Sequence, residues 1–82
     1  MINIIKLYIQ KLTISELQFY AEKQDIYLSE AELQFTYDFI KNNYDAVLSN
    51  PDNFNFENYQ QHYSKENFIK INNLINKYKN YL

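Results

Sequence analysis

The sequence predicts an all-α protein, a compact bundle of four to five short helices with no sheet, and three observations carry that expectation. The 82 residues include no Gly and a single Pro, which removes the residues that tight β-turns and left-handed loop positions most often use. Apolar residues recur at spacings of three and four instead of alternating, as one face of a helix requires. A phrase that starts helices is written four times. At this length the chain has room for one core, so residues 1–82 are expected to form a single helical domain.

The elements follow in order. A first helix covers about 2–11, with Ile2, Ile5, Ile9 and Leu12 on one stripe. In LTISEL, Thr13 caps the next helix, Glu16 at the third helical position returns a hydrogen bond, and Leu12 and Leu17 form a hydrophobic staple across the start. That second helix runs from 14 to about 24 and turns Ile14, Leu17, Tyr20 and Ala21 inward. DIYL, residues 25–28, is a short extended connector whose Ile26 and Leu28 plug the core. LSEAEL repeats the phrase with Leu28, Ser29, Glu32 and Leu33, so a third helix starts at 30. It ends at the Asn42-Asn43 pair or runs through it to about 48, with Leu33, Tyr37, Ile40 and Tyr44 on one face.

SNPDN is a turn in which Pro51 pre-sets the backbone. Looser copies of the phrase follow. FNFENY (Phe54, Asn55, Asn58, Tyr59) starts a short helix over about 56–62, and YSKENF (Tyr63, Ser64, Asn67, Phe68) starts a last one over about 65–80. The last carries Phe68, Ile71, Leu74, Ile75 and Tyr78. Every residue of the repeated phrase is thus used on the orphan N–H groups of a helix start, so the repeat is punctuation and not a binding code.

Charge is uneven along the chain. Residues 12–64 hold nine of the ten acids and only Lys23 and Lys41, whereas both ends are basic and the net charge is −2. Terminal helices lying beside the middle ones gain a modest, salt-screened complementarity from this pattern.

The order of signals, LTISELQFYA, then DIYLSEAE, then a longer helix, a Phe-containing turn and a final helix after YSKEN, resembles the YqfT-like proteins. These form a family of small proteins from Bacillus and Staphylococcus relatives that has no assigned activity. Leu12, Thr13, Glu16, Leu17, Tyr20, Ala21, Ile26, Leu28 and Ser29 carry the resemblance, which spans most of the chain. It implies a compact helical fold in a low-GC bacterium and brings no catalytic residue.

Catalysis finds few parts. There is no Cys and one His, and the hydroxyls of Thr13, Ser29 and Ser64 serve as caps, so no nucleophilic triad is expected and no catalytic residue is assigned. His62 is read as a surface residue near a helix terminus. Asn53, Asn55 and Glu57 alternate oxygen ligands but lack the Gly and the Asp-rich spacing of a calcium loop, so no metal is expected. Without Gly there is no phosphate-cradling loop, and no cofactor or small-molecule substrate is evident. No run approaches the ~20 apolar residues of a membrane span, and MINIIKLYIQKL lacks the features of a secretory leader. A cytoplasmic location is expected.

Two functional classes remain. The first is a non-catalytic protein-association module, a homodimer or a small adaptor. The third helix carries Phe35 and Phe39 off its main stripe, so either it is central and wrapped by neighbours or one aromatic strip is left for a partner. Phe19 and Tyr8 could extend that strip, and Ile4, Leu7 and Tyr8 stand beside the main stripe of the first helix. The alternative is a weak nucleic-acid binder using Lys70, Lys77 and Lys79 among the Asn residues of the last helix.

Overall fold

Each of the four marked helix starts is the start of a helix. The structure, a computed structural model, describes the backbone of residues 2–79 and the side chains of residues 4–79. Helix α1 spans Ile2–Lys11, α2 Ile14–Lys23, α3 Glu30–Ser49 and α4 Lys65–Lys79. Between α3 and α4 lie two 3-10 segments, Pro51–Asn53 and Phe56–His62. Among the described residues there is no strand. The fold is the all-α bundle the sequence predicts, and α3 runs through Asn42-Asn43 to Ser49. The inward placing of the Ile2 side chain and the extension of the last helix to residue 80 lie outside what is described.

The first two helix starts close as the phrase requires. Thr13 Oγ1 accepts from the Glu16 N–H at 3.1 Å while Glu16 Oε1 accepts from the Thr13 N–H at 2.9 Å. Ser29 Oγ accepts from the Glu32 N–H at 3.1 Å, and Glu32 Oε1 accepts from the Ser29 N–H at 2.8 Å. At α4, Ser64 Oγ accepts from the Asn67 N–H at 3.1 Å, but the reciprocal bond does not come from Asn67. The Ser64 N–H donates at 2.6 Å to Glu32 Oε2, on a different helix. One carboxylate therefore closes two capping boxes. Asn67, freed from the capping role, donates its amide to Glu32 Oε1 at 2.8 Å and to the Tyr27 carbonyl at 3.0 Å.

Glu32 and Asn67 are the buried polar residues of the described chain, 6% and 8% exposed. Every buried side-chain N or O atom described has a partner, which is what lets a charge sit there without a large penalty. Burial pushes the Glu32 carboxyl up, yet the Ser29 and Ser64 N–H groups and the Asn67 amide outweigh it and hold the carboxyl below its ordinary value. A depressed carboxyl contributes stability that is complete above the ordinary glutamate value of 4.5 and is lost as the pH falls through the lower folded value.

Helix α2 ends in a left-handed turn that the expected extended connector did not include. Asp25 has φ 62°, the Ile26 N–H reaches back to the Ala21 carbonyl at 2.9 Å, and the Asp25 N–H to Glu22 at 3.0 Å. Gly usually takes that position. In a chain without Gly, Asp is among the residues that tolerate it best, and Lys70 Nζ fastens it by bonding the Asp25 carbonyl at 2.8 Å. The turn drives Ile26 into the core at 3% exposure, as expected, while Leu28 is half-buried.

Helices α1 and α3 are antiparallel. Passing along α1, Lys6 pairs with Asp45, Gln10 donates to the Tyr44 hydroxyl at 2.9 Å, and the Leu12 carbonyl accepts from the Tyr37 hydroxyl at 3.2 Å. Lys41 Nζ closes the open end of α1 on the Ile9 and Gln10 carbonyls at 2.9 and 2.8 Å, a cation where the helix dipole is negative. The basic ends do pair with the acidic middle: Lys6 with Asp45 and Lys70 with Asp25.

The short helix expected over about 56–62 is present and is a 3-10 helix, Phe56–His62. Asn55 Oδ1 accepts from the Glu57 N–H, two residues on, and no box with Asn58 forms. With three residues per turn, positions three apart eclipse, so Phe56, Tyr59 and His62 line up on one side. That side faces α3. Leu17, Ala21, Ile26, Leu33, Phe56 and Phe68 form the buried core, with the Phe56 and Phe68 rings stacked at 5.1 Å and 6°.

Two outcomes test this fold. Replacing Glu32 with Gln should cost about 2 kcal/mol, because the amide must present a donor to at least one of three donors. The variant should also lose part of the acid-induced fall in melting temperature below pH 4.5, read by circular dichroism from pH 7 to about pH 3. At the α2 turn, Asp25→Ala should lower stability by about 1 kcal/mol while Asp25→Gly leaves it equal or higher. Equal losses for Ala and Gly would show that the carboxylate, and not the backbone conformation, matters there.

Candidate functional site

Phe35 and Phe39 do not form a strip open to solvent; both are half-buried against the 3-10 segment. The Phe35 ring meets His62 face to face at 3.8 Å and 10°, and meets Tyr63 edge-on at 5.9 Å. Phe39 packs edge-on to Tyr59 at 4.7 Å and lies 5.7 Å from Phe54. Such ring pairs contribute about 0.5–1.5 kcal/mol each beyond their area. His62 is exposed, as expected, and acts as the outer cover of this cluster. Of the two readings of α3, the wrapped helix is the arrangement found: α1 and α2 pack on it, and the 3-10 aromatics cover the Phe35–Phe39 side.

Phe19 is 61% exposed on the outer face of α2, under the Lys23 ammonium at 4.7 Å. No ring contact described joins it to Phe35 or Phe39.

The lysines of the last helix are partly engaged within the chain. Lys70 is tied to Asp25 and Glu66, and Lys79 Nζ donates to the Phe54 carbonyl at 3.1 Å and lies over the Phe54 ring. Lys77 borders an open cleft of mixed character with Lys70, Gln24, Asp25, Ile26, Asn73 and Leu74. Two of the three cations are thus spent on closing helix ends and loops.

The apolar surface lies elsewhere. Along α1, Ile4, Leu7 and Tyr8 are 71%, 56% and 65% exposed. Their spacing puts them on one face, while Ile5, Ile9 and Leu12 turn toward α3. Tyr20 is the residue whose inward placing needs correction: its position is at the edge of the α2 stripe, and its ring reaches the surface at 40% exposure. There its hydroxyl bonds the Tyr78 hydroxyl at 2.8 Å. Burial and that bond push the Tyr20 hydroxyl up to about 12.

Beneath the tyrosine pair runs an apolar groove of about 260 Å³ between α2, the end of α3 and α4, lined by Tyr20, Val47, Phe54, Leu74, Ile75 and Tyr78. The sequence marked Ile4, Leu7 and Tyr8 as surplus but not Tyr20 and Tyr78. Leu74 and Tyr78, four apart on the margin of the α4 stripe, were the available signal.

Among the described residues no group of three or more His, Asp or Glu side chains gathers to hold a metal, and no helix is long and apolar enough to cross a membrane. Comparison with known proteins finds no family model, no curated relative and no solved structure that matches this chain.

Because the cluster is intramolecular, Phe39→Ala should lower stability by about 2 kcal/mol, less than the ~3–5 of a fully buried ring. Urea denaturation measures it. An unchanged midpoint would return Phe39 to the list of partner contacts.

Proposed function

We propose that the protein acts by associating with protein, as a homodimer or a small adaptor, and catalyses no reaction. The carrying observation is the apolar strip of Ile4, Leu7 and Tyr8 exposed on one face of α1; a second apolar surface is the groove lined by Tyr20, Val47, Phe54, Leu74, Ile75 and Tyr78. Contiguous exposed apolar residues on so small a domain are the usual mark of an interaction surface. The reading includes a cytoplasmic location and the YqfT-like kinship suggested by the helix-start phrases. It moves the contact surface away from Phe35 and Phe39, whose rings are engaged within the chain, keeps Tyr8, and leaves Phe19 outside it.

Nucleic-acid binding through Lys70, Lys77 and Lys79 is the weaker reading, since Lys70 and Lys79 already have acceptors in the chain. Binding of labelled nucleic acid that weakens steeply with salt would reverse that order. The test of association is cross-linking of the protein at native abundance in its own cell. The parent should give a discrete protein–protein species that a Leu7→Ser, Tyr8→Ser variant loses and a Lys70→Gln, Lys77→Gln variant keeps. A species insensitive to the first pair and abolished by the second would overturn the choice of face.

A further inference from the structure

We propose that α4 is a hinged arm: its first turn is pinned to the rest of the chain, and residues 69–79 swing away from α2 and α3 as an intact helix, widening the apolar groove they border. The proposal goes beyond the association reading and does not depend on it.

The pin is the Glu32 site. Ser64 N–H donates to Glu32 Oε2 at 2.6 Å, and the Asn67 amide donates to Glu32 Oε1 at 2.8 Å and to the Tyr27 carbonyl at 3.0 Å. One residue on, the Phe68 ring stacks on Phe56 at 5.1 Å. Asn67 and Phe68 are the buried residues of α4, and both lie at its start. Along residues 69–79 none is buried: Ile71, Leu74 and Ile75 are half-buried, and Ile69 and Tyr78 are 47% and 45% exposed. The element packed most closely on α4 is the 3-10 segment just before it, whereas α1 and α2 pack along α3. Local opening is drawn from segments of this kind, poor in buried apolar contacts.

The space beside the arm points the same way. On one side is the groove of about 260 Å³ that Leu74, Ile75 and Tyr78 share with Tyr20, Val47 and Phe54. On the other is an open cleft of about 300 Å³ between the α2 turn and Lys70, Asn73 and Lys77, and Leu74 lines both. Protein interiors pack almost without voids, so a helix with a cleft along each flank forgoes the dispersion contacts that would hold it down. Three polar ties reach across from this stretch. Lys70 Nζ donates to the Asp25 carbonyl at 2.8 Å, the Tyr78 and Tyr20 hydroxyls bond at 2.8 Å, and Lys79 Nζ donates to the Phe54 carbonyl at 3.1 Å. The first two are exposed, where water competes for the same groups and each tie contributes little. Swinging the arm parts Leu74, Ile75 and Tyr78 from Tyr20, Val47 and Phe54, so the position of α4 sets the width of the groove.

The chain has no native Cys, so pairs of nitroxide labels on the full chain report the motion by pulsed dipolar spectroscopy. A tip pair, Glu22→Cys with Asn76→Cys, reads the arm, and a base pair, Asp38→Cys with Lys65→Cys, reads the pin; all four sites are exposed. In the parent the tip distance should be distributed more broadly than the base distance. Adding Tyr20→Phe and Lys70→Gln, which remove two of the three ties, should give the tip a longer component and leave the base distance and the helical circular dichroism unchanged. A pair within α4, Lys65→Cys with Asn76→Cys, should stay narrow, its backbone sites ~16 Å apart along the helix.

A parent whose tip is as narrow as its base would overturn the arm, and this comparison stands even if the doubly substituted chain fails to fold. A base that broadens together with the tip would overturn the pin, since α4 would then leave as a whole. A broadened pair within α4 would overturn the intact helix in favour of fraying, and a folded variant with an unchanged tip would overturn the part given to the two ties.

Discussion

The Glu32 carboxylate is the constraint on which the rest of the structure depends. It is one side chain in the first turn of α3, yet its two oxygens receive the N–H of Ser29, the N–H of Ser64 and the amide of Asn67. Two pieces of backbone far apart in sequence are thereby fixed to one point: the connector and entry to α3 at Tyr27 and Ser29, and the entry to α4 at Ser64 and Asn67. A buried charge would ordinarily destabilise the fold, and this one is tolerated because every donor around it is aimed at it. Oε1 has two donors, whereas Oε2 takes the Ser64 N–H, and loss of that bond removes the tie between the entries of α3 and α4.

The same device recurs at lower stakes. Lys41 of α3 closes the end of α1, and from α4 Lys70 holds the α2 turn and Lys79 the loop at Phe54. Such ties matter here because the core is thin. No large side chain described falls below 2% exposure, so directional bonds between elements carry a share of the specificity that a larger domain would obtain from packing. The aromatic cluster supplies the remainder on the Phe35 side of α3, where the 3-10 repeat sets Phe56, Tyr59 and His62 in register.

What could be read in the sequence was local, and what could not was a contact between elements. The Thr13 and Ser29 boxes were legible because cap and partner are three residues apart. The Ser64 box was legible by half: its hydroxyl is in the phrase, but the returning carboxylate lies 32 residues away on α3. The left-handed Asp25 was hidden because Gly, its usual signature, does not occur in this chain. The 3-10 geometry of Phe56–His62 could not be told from an α-helix over two turns, since apolar positions at 56 and 59 suit either period. Periodicity also left open whether Phe35 and Phe39 were covered, because the covering rings, Tyr59 and His62, sit on a segment whose position no local pattern fixes.

The location of the apolar face follows from that arrangement. Helix α3 is enclosed by α1, α2 and the 3-10 aromatics, and Phe56 and Phe68 join α4 to the same core. Among the described residues α3 is the main neighbour of α1, tied to it through Lys6, Gln10 and the carbonyls that Lys41 and Tyr37 close. An amphipathic helix with one neighbour can bury only one stripe, yet α1 carries Ile4, Leu7 and Tyr8 in addition to Ile5 and Ile9. Isolated helices of its ten residues are marginal in water. A partner laid on the outer stripe would therefore bury apolar surface and, by the same contacts, hold α1 against α3. On the proposed association, binding and the stability of α1 would be linked in one equilibrium, because the same contacts serve both.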